Sequence, residues 1–253
     1  MISRLKNKIK QSKLTIGSWL TIPNNSIAEI FATNNFDWLV IDLEHSSISL
    51  SEASEMIRVI DLAGNTPLVR ITSNNEDQIK RVLDAGAHGI IVPMVNSQED
   101  VNKILKSVYY NPIGNRGVGL ARAQGYGENF KEYNKWLKKN LIVIIQIEHF
   151  EAVENLDSIL SEKKIDAIFV GPYDLSASMG IAGNFENKKF KKAINKILTT
   201  AKKYKCLPGI HVVEPDEKLL NKAIKEGFKF ISYSVDFRFL KVLPAKALKK
   251  IKK

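Results

Sequence analysis

Residues 141–175, LIVIIQIEHFEAVENLDSILSEKKIDAIFVGPYDL, contain two short, mostly apolar runs on either side of a longer amphipathic segment. The runs are Leu141 to Ile147 and Ala167 to Val170, and an acidic residue follows each of them closely. Apolar runs of this length that alternate with helical segments are typical of parallel strands buried on both faces. The stretch therefore predicts one strand–helix–strand unit of a parallel sheet.

The same alternation extends in both directions along the chain. The remaining predicted strands are Thr15 to Leu20, Trp38 to Asp42, Pro67 to Ile71, Gly89 to Val92, Pro208 to Val212 and Phe230 to Ser234. Helices are predicted to begin near Ser26, Ser49, Asn75, Ser97, Glu151, Asn187, Pro215 and Asp236. Eight strands and eight helices within 253 residues predict an α/β protein with one domain, residues 1–253, folded as a (β/α)8 TIM barrel. The long interval Tyr109 to Lys139 is predicted to be a loop, either functional or disordered.

Composition narrows the kind of protein further. The chain is 44% hydrophobic and 26% charged, as soluble globular proteins are, and no apolar run approaches the ~20 residues of a membrane span. The N-terminal MISRLKNKIKQSK lacks the apolar stretch of a signal peptide, and the single Cys206 cannot form an internal disulfide, so we expect a cytoplasmic protein. The net charge of +11 arises from lysines at helical spacing, which indicates a solvated outer face rather than a nucleic-acid or membrane partner.

Catalytic residues of such a barrel come from the carboxyl ends of the strands and the loops after them. Glu148 and Asp174 follow strands five and six, where two hard carboxylate oxygens could meet on one Mg²⁺ or Mn²⁺ ion. Alternatively, either carboxylate caps the helix that follows it. Position alone leaves both interpretations open.

Arg70 and His45 end neighbouring strands on the same side of the predicted barrel. The guanidinium of Arg70 suits a substrate carboxylate or an enolate oxygen, and it could also form an ion pair with Asp42 on strand two. Both contacts can exist together. His45 is a candidate for moving a proton, as histidines in active sites commonly do, with a structural role as the alternative.

Absent features also restrict the chemistry. No predicted strand ends in lysine, which a Schiff-base aldolase requires, and strands seven and eight end in HVVEPD and YSVDFR without a glycine-rich phosphate turn. Neither a GxxxxGK loop nor a GxSxG elbow occurs. Among the other histidines, His88 is predicted to be structural, His149 to face the pocket rim or its helix, and His211 to lie close to the pocket.

Six motifs, in order, resemble the HpcH/HpaI family of class II pyruvate aldolases. They are DLEH at 42–45, PLVRI at 67–71, AGAHGIIVPMV at 85–95, NPIGNRGVG at 111–119, QIE at 146–148 and GPYDLSASMG at 171–180. The resemblance implies a metal-dependent carbon–carbon lyase that cleaves or forms 4-hydroxy-2-oxo acids through a pyruvate enolate. It also implies a divalent cofactor (Mg²⁺, Mn²⁺ or Co²⁺), a 2-oxo acid and an aldehyde as small-molecule partners, and a homo-oligomer, a trimer of dimers, in which residues 236–253 make a subunit contact.

The resemblance also assigns roles to individual residues. Glu148 and Asp174 match the metal ligands, Arg70 the arginine that holds pyruvate, and His45 the general base. The other implied positions are Asp84 as an acid that pairs with that histidine, Gln146 lining the pyruvate site, the backbone amides near Tyr173 and Asp174 binding the pyruvate carboxylate, and Val212 as an apolar wall. Asp42, from its position on strand two and apart from the resemblance, is expected to support the arginine.

Because of two departures from the family pattern, the sequence does not predict which aldehyde the protein uses. Tyr173 stands where a small residue is usual, and Ser46-Ser47-Ile48 replaces a loop with glycine and proline. They also allow a catalytically silent binding or assembly barrel. A lyase that acts on an acyl-CoA ester is the other alternative, because related barrels use similar carboxylates.

Overall fold

Eight parallel strands form a closed barrel in the computed structural model, which describes residues 2–251. Each strand pairs with the next in sequence, and β8 pairs with β1. The strands are β1 Thr15–Leu20, β2 Trp38–Asp42, β3 Pro67–Arg70, β4 Gly89–Val92, β5 Ile142–Ile147, β6 Ala167–Val170, β7 Leu207–Val212 and β8 Phe230–Val235. The predicted (β/α)8 barrel is confirmed, and strand ends differ from prediction by a single residue, the usual uncertainty of such boundaries.

Helices surround this barrel. Within residues 2–251 they are α1 Arg4–Lys10, α2 Asn25–Thr33, α3 Leu50–Leu62, α4 Glu76–Asp84, α5 Gln98–Val108, α6 Phe130–Asn140, α7 Phe150–Glu154, α8 Leu156–Leu160, α9 Pro172–Ser178, α10 Lys188–Tyr204, α11 Glu217–Glu226 and α12 Asp236–Ile251, with a 3₁₀ turn at Arg122–Gln124. Ser49 and Ser97 cap α3 and α5 with reciprocal capping boxes, as N-cap residues of this type favour. None of these helices has the length and hydropathy needed to cross a membrane.

The interval between β4 and β5 is more ordered than its glycines suggested. It contains the 3₁₀ turn and nearly all of α6, so the prediction of a continuous loop from Tyr109 to Lys139 was wrong. Tyr133 and Leu137 are buried one helical turn apart, and this spacing could have predicted α6. The short helix α9 was also missed, although Pro172 at its first position is a favourable helix start.

The first helix closes the amino-terminal end of the barrel. Leu5 and Ile9 of α1 belong to the core inside the barrel. Lys6 donates to the carbonyl oxygen of Leu141 at 2.5 Å and forms an ion pair with Asp166 at 2.6 Å. Helix α1 therefore covers the amino-terminal end of the barrel interior, which leaves the carboxyl-terminal end as the side for a ligand.

Side chains alternate between two cores along most of the strands. On β5, Ile142 and Ile144 point into the barrel, whereas Val143 and Ile145 pack between the sheet and the helices. This period of two follows from strand geometry, and it is interrupted on β8, where Ser234 has a φ of 56° and Phe230 and Val235 both join the inner core. Because the barrel interior is filled, polar residues that continue the inner pattern must meet at its carboxyl-terminal mouth.

Candidate active site

Arg70 is held at the mouth by Asp42 on the neighbouring strand. Its Nε donates to one oxygen of Asp42 at 2.8 Å, and its Nη2 donates to the other at 2.6 Å. Nη1 lies 3.1 Å from Glu44 and 3.4 Å from the side-chain oxygen of Gln146. The guanidinium also stacks on the Trp19 ring, 4.4 Å from its centroid. A guanidinium has five N–H donors and Asp42 takes two, so this clamp leaves donors for a substrate anion.

Glu148 continues the inner pattern one residue beyond β5. One of its oxygens accepts the backbone N–H of Met94 at 2.7 Å, and the other accepts the amide of Gln146 at 2.6 Å. Only 6% of the residue is exposed. Burial and the nearby charge of Asp174 raise the pKa of Glu148, against the hydrogen bonds that lower it. Gln146 contacts both Glu148 and Arg70, so the three side chains form one connected group.

Asp174 lies in the first turn of α9, directly after β6, and its side chain is exposed. The capping alternative does not describe either acid. No side chain caps α9, and the residue that caps α7 is His149, whose ring accepts the backbone N–H of Glu151 at 3.3 Å. Glu148 directs its oxygens to Met94 and Gln146 instead.

Gly171 lets the two acids approach each other. A Cβ atom at this position would lie 2.8 Å from a carboxylate oxygen of Glu148 and 2.9 Å from its Cβ. Contacts this short do not occur for real Cβ atoms. The strand-to-helix turn before Asp174 therefore packs against Glu148 only because residue 171 has no side chain.

These residues fit a hard divalent cation. The donors are carboxylate oxygens on neighbouring strand ends, and a cation between them would offset the repulsion by Asp174, which adds to burial in raising the pKa of Glu148. Within residues 2–251, no cluster of three or more His, Cys, Asp or Glu side chains could hold an ion. Water and substrate would have to supply the other ligands, which is how Mg²⁺ is commonly bound.

Glu44 is a site residue that the sequence prediction overlooked. It lies two residues after Asp42, beyond the end of β2, and contacts Arg70. Burial, above all, raises the pKa of its carboxyl group, while Arg70 lowers it. His45 projects outward, with 70% of its side chain exposed and Nε2 3.9 Å from Glu44. The same alternation that predicted Asp42 could have placed Glu44 on the inner side.

Asp84 lies at the other end of the barrel from His45. It ends α4, just before β4 begins, and its carboxylate pairs with the buried guanidinium of Arg116. Helix α4 starts at the carboxyl end of β3 and runs back, so its last residue reaches the amino-terminal side. A single chain therefore does not bring the proposed acid to the proposed base.

Val212 lies away from the mouth, contrary to what the resemblance implied. Its side chain belongs to the outer core between the sheet and the helices. Leu207 of the same strand points into the barrel, so the inner series on β7 is 207, 209 and 211. The residue of β7 that faces the mouth is His211 rather than Val212.

The two departures from the family pattern both lie at the mouth. Tyr173 is 63% exposed and packs edge-on against Phe185, with ring centroids 5.0 Å apart. Ser46 donates its hydroxyl to the carbonyl oxygen of Asp42 and accepts the N–H of Ile48 at 3.1 Å. The serine thus fixes the loop after β2 by a local turn of its own.

Comparison with known proteins agrees with this geometry. Residues 15–241 match the HpcH/HpaI aldolase/citrate lyase family. The chain is 34% identical to 4-hydroxy-2-oxo-heptane-1,7-dioate aldolase of Shigella boydii serotype 18 over 242 residues, 95% of this chain and 91% of that protein. It is 32% identical to 2-keto-3-deoxy-L-rhamnonate aldolase of Salmonella gallinarum over 233 residues, 91% of this chain and 86% of that protein.

A solved structure is similar along nearly the whole chain. The crystal structure of an HpcH/HpaI aldolase from Desulfitobacterium hafniense DCB-2 superposes with a TM-score of 0.89 at 31% identity, covering 98% of this chain and 96% of the other. The barrel fold is thus shared with a solved member of one family, and the sequence is similar to members of that family along nearly its whole length. The chain belongs to the HpcH/HpaI aldolase/citrate lyase family.

Proposed function

We propose that the protein is a divalent-metal-dependent aldolase that cleaves or forms 4-hydroxy-2-oxo acids through a pyruvate enolate. The observation that carries this proposal is the convergence of Glu148, Asp174 and the clamped guanidinium of Arg70 at one mouth, linked by Gln146. The aldolase names of relatives at 34% and 32% identity support carbon–carbon lyase chemistry.

The substrate's 2-oxo acid end binds between the acidic pair and Arg70. Glu148 and Asp174 would hold the ion, which when bound polarises the ketone as a Lewis acid. Arg70 stabilises the negative charge that develops as the enolate forms, because Asp42 fixes its orientation before the reaction. Gln146 donates to Glu148 and keeps that carboxylate in place. The backbone amides of Tyr173 and Asp174 lie in the first turn of α9, where N–H groups lack helical acceptors, and would bind the substrate carboxylate.

His45 is the proposed base. In cleavage it accepts the proton of the 4-hydroxyl group while the C3–C4 bond breaks, and that bond's electron pair becomes the enolate. The carbon that bore the hydroxyl group leaves as the aldehyde, and the enolate takes up a proton at C3 to leave as pyruvate. In the reverse direction the same histidine returns the proton. Its high exposure leaves the ring free to reach the substrate. Asp84 can assist it only from a second copy of the chain, consistent with a homo-oligomer.

The test is pyruvate release from 4-hydroxy-2-oxo-heptane-1,7-dioate and from 2-keto-3-deoxy-L-rhamnonate by the purified protein. We expect turnover that a chelator abolishes and that Mg²⁺, Mn²⁺ or Co²⁺ restores. Glu148→Gln and Asp174→Asn should each lower kcat/KM at least about 100-fold, because each removes a ligand of the ion that stabilises the enolate charge. Glu151→Gln, an exposed acid next to the site, is the matched control and should have no effect.

Three results would contradict the proposal. Turnover that survives complete removal of divalent ions refutes the metal assignment. Cleavage of coenzyme A thioesters without turnover of free 2-oxo acids favours the acyl-CoA lyase alternative. Binding of metal and pyruvate without turnover of any aldehyde favours a silent barrel.

A further inference from the structure

His211 is a mouth residue for which the proposed chemistry has no role. It follows Leu207 and Gly209 on the inner face of β7 and is half-buried. Its ring lies 5.7 Å from that of Trp19, tilted by 33°, and the guanidinium of Arg70 also contacts the Trp19 ring. Arg70 and Asp42 are close enough for their charges to act on His211.

The hydrogen bond of this ring fixes which nitrogen carries the proton. Nε2 lies 3.0 Å from the carbonyl oxygen of Ser234, and a carbonyl can only accept, so Nε2 donates. Although the side chain is partly accessible, the protein atoms around the ring displace water from it, and this desolvation lowers the pKa of His211 to about 4, which keeps the ring neutral at physiological pH. In the neutral ring with a proton on Nε2, Nδ1 presents a lone pair and acts as an acceptor.

The conformation of Ser234 is restricted by its own contacts, which disfavours a flip of the His211 ring. It adopts a positive φ of 56°, and its hydroxyl donates to the carbonyl oxygen of Val213 at 2.9 Å. Its own carbonyl oxygen also accepts the hydroxyl of Ser18 at 3.3 Å. The carbonyl that receives Nε2 is thus oriented by contacts on β1 and after β7.

Hydrogen-bonding capacity is left over on this side of the mouth. Within residues 2–251, Nδ1 of His211 has no hydrogen-bond partner. Unlike the fully enclosed polar atoms that lack a partner, it is not sealed from a ligand. Nε1 of Trp19 and the hydroxyl of Ser232, which pairs with His211 in the β7–β8 register, are enclosed and unpartnered within the same residues. Unsatisfied polar groups of this kind are rare in folded proteins and mark places where a ligand or water completes the site.

The positions of the other site residues define what Nδ1 can meet. The acids follow β5 and β6 and Arg70 ends β3, so the 2-oxo acid end of the substrate occupies that side. The aldehyde-derived end is left with the sector that runs from Tyr173, after β6, through β7, β8 and β1 to the proposed base His45, after β2. A neutral acceptor there favours a hydroxyl group and disfavours a carboxylate, which can only accept hydrogen bonds itself.

We propose that His211 determines specificity by accepting, through Nδ1, a hydrogen bond from a hydroxyl group on the aldehyde-derived part of the substrate. The preferred aldehydes are therefore hydroxyaldehydes rather than unsubstituted aldehydes or semialdehydes with a carboxylate. This inference rests on the proposed aldolase function and adds its substrate class.

The experiment compares lactaldehyde with propionaldehyde, which differ by one hydroxyl group, as acceptors for pyruvate with the metal-loaded protein. The measured quantity is the ratio of their kcat/KM values, with succinic semialdehyde as the carboxylate probe. We expect the wild-type protein to prefer lactaldehyde over both others. His211→Leu should lower the lactaldehyde to propionaldehyde ratio about 5-fold, the loss of one neutral hydrogen bond.

Two further variants separate this role from a structural one. His211→Asn keeps an acceptor near the position of Nδ1 and should restore part of the ratio. His88→Leu, which alters the half-buried histidine paired with Asp61 at the opposite end, should leave the ratio unchanged. A structural effect of substitution lowers both kcat/KM values together and does not change their ratio.

The outcomes distinguish the two proposals. A wild-type protein that turns over no aldehyde refutes the aldolase function and this assignment with it. A wild-type protein that is active but shows no preference for lactaldehyde refutes the assignment alone. The same holds if His211→Leu retains the wild-type ratio, and the wild-type measurement decides the matter even if this variant fails to fold.

Discussion

Gly171→Ala tests whether the distance between Glu148 and Asp174 controls activity. Gly171 has φ −95° and ψ 90°, values that alanine also adopts, so the backbone does not forbid the substitution. In the unfolded chain, alanine has less conformational freedom than glycine, which would stabilise the protein by up to about 1 kcal/mol. Any loss must therefore come from the contact of the new methyl group.

The size of that contact follows from the structure. The added Cβ would lie 2.8 Å from a carboxylate oxygen of Glu148, whereas ordinary contacts begin at 3.4 Å. Either Glu148 or the start of α9 must therefore move by roughly half an ångström, and both movements change the separation of the two acids. Since misplacement by about 1 Å can cost a factor of 100, we expect kcat/KM to fall about 10-fold or more.

The assay measures three quantities for wild type and variant: kcat/KM for pyruvate release, the dissociation constant of Mn²⁺, and the thermal midpoint. The matched control is Ala177→Gly, an exposed position in the same helix. It weakens α9 by up to about 1 kcal/mol without approaching Glu148. We expect weaker Mn²⁺ binding and lower activity in Gly171→Ala only.

Wild-type activity and wild-type Mn²⁺ affinity in Gly171→Ala would refute this reasoning. Such a result would mean that the two carboxylates do not share an ion. A fall in activity of equal size in Ala177→Gly would instead show that the helix, and not the contact with Glu148, is responsible.

Three other predictions follow from the same geometry. Asp42→Asn should lower the free energy of unfolding by about 3 kcal/mol in urea titrations, because it breaks a buried pair with Arg70, whereas Glu55→Gln in the exposed pair with Arg58 should change it by less than about 0.5 kcal/mol. Equal effects would contradict the clamp. Tyr173→Ala should raise kcat/KM for bulky aldehydes relative to small ones. It should leave the thermal midpoint nearly unchanged, because this ring is exposed and its contact with Phe185 is edge-on. An unchanged preference between bulky and small aldehydes would place the aldehyde elsewhere. Mn²⁺ affinity, measured by calorimetry, should fall as the pH is lowered towards the pKa of Glu148, because the protonated acid no longer binds the ion. Burial raises this pKa above its usual 4.5. A pH-independent affinity would exclude Glu148 as a ligand.

The strands were predictable because burial on both faces leaves a strong local signal. Each predicted strand coincides with an observed one to within one residue at either end. The sequence alone therefore places residues near their carboxyl ends, such as Arg70 and Gln146, at the mouth. Helix starts with a Ser or Asn cap were equally accessible, because the cap is a local interaction.

The features that the sequence did not predict depend on which face of a strand a side chain occupies and on contacts between residues distant in sequence. Val212 and His211 differ by one position, and one position reverses the face of a strand. The contact of Met94 with Glu148 uses a backbone N–H, which any residue type supplies, so the sequence contains no sign of it. The position of Asp84 follows from the path of α4 across the barrel, which motif matching does not represent.

The mouth is rich in acidic residues, whereas the protein as a whole is basic. Asp42, Glu44, Glu148 and Asp174 converge there with one guanidinium, in a chain whose net charge is +11. Asp42 is satisfied by Arg70, but the carboxyl groups of Glu44 and Glu148 each have a raised pKa, to which the charge of a neighbouring acid contributes. The four carboxyl groups at the mouth therefore outnumber the one guanidinium that could balance their negative charge. A bound divalent cation would correct this imbalance locally, while the basic outer surface would favour the approach of anionic 2-oxo acids.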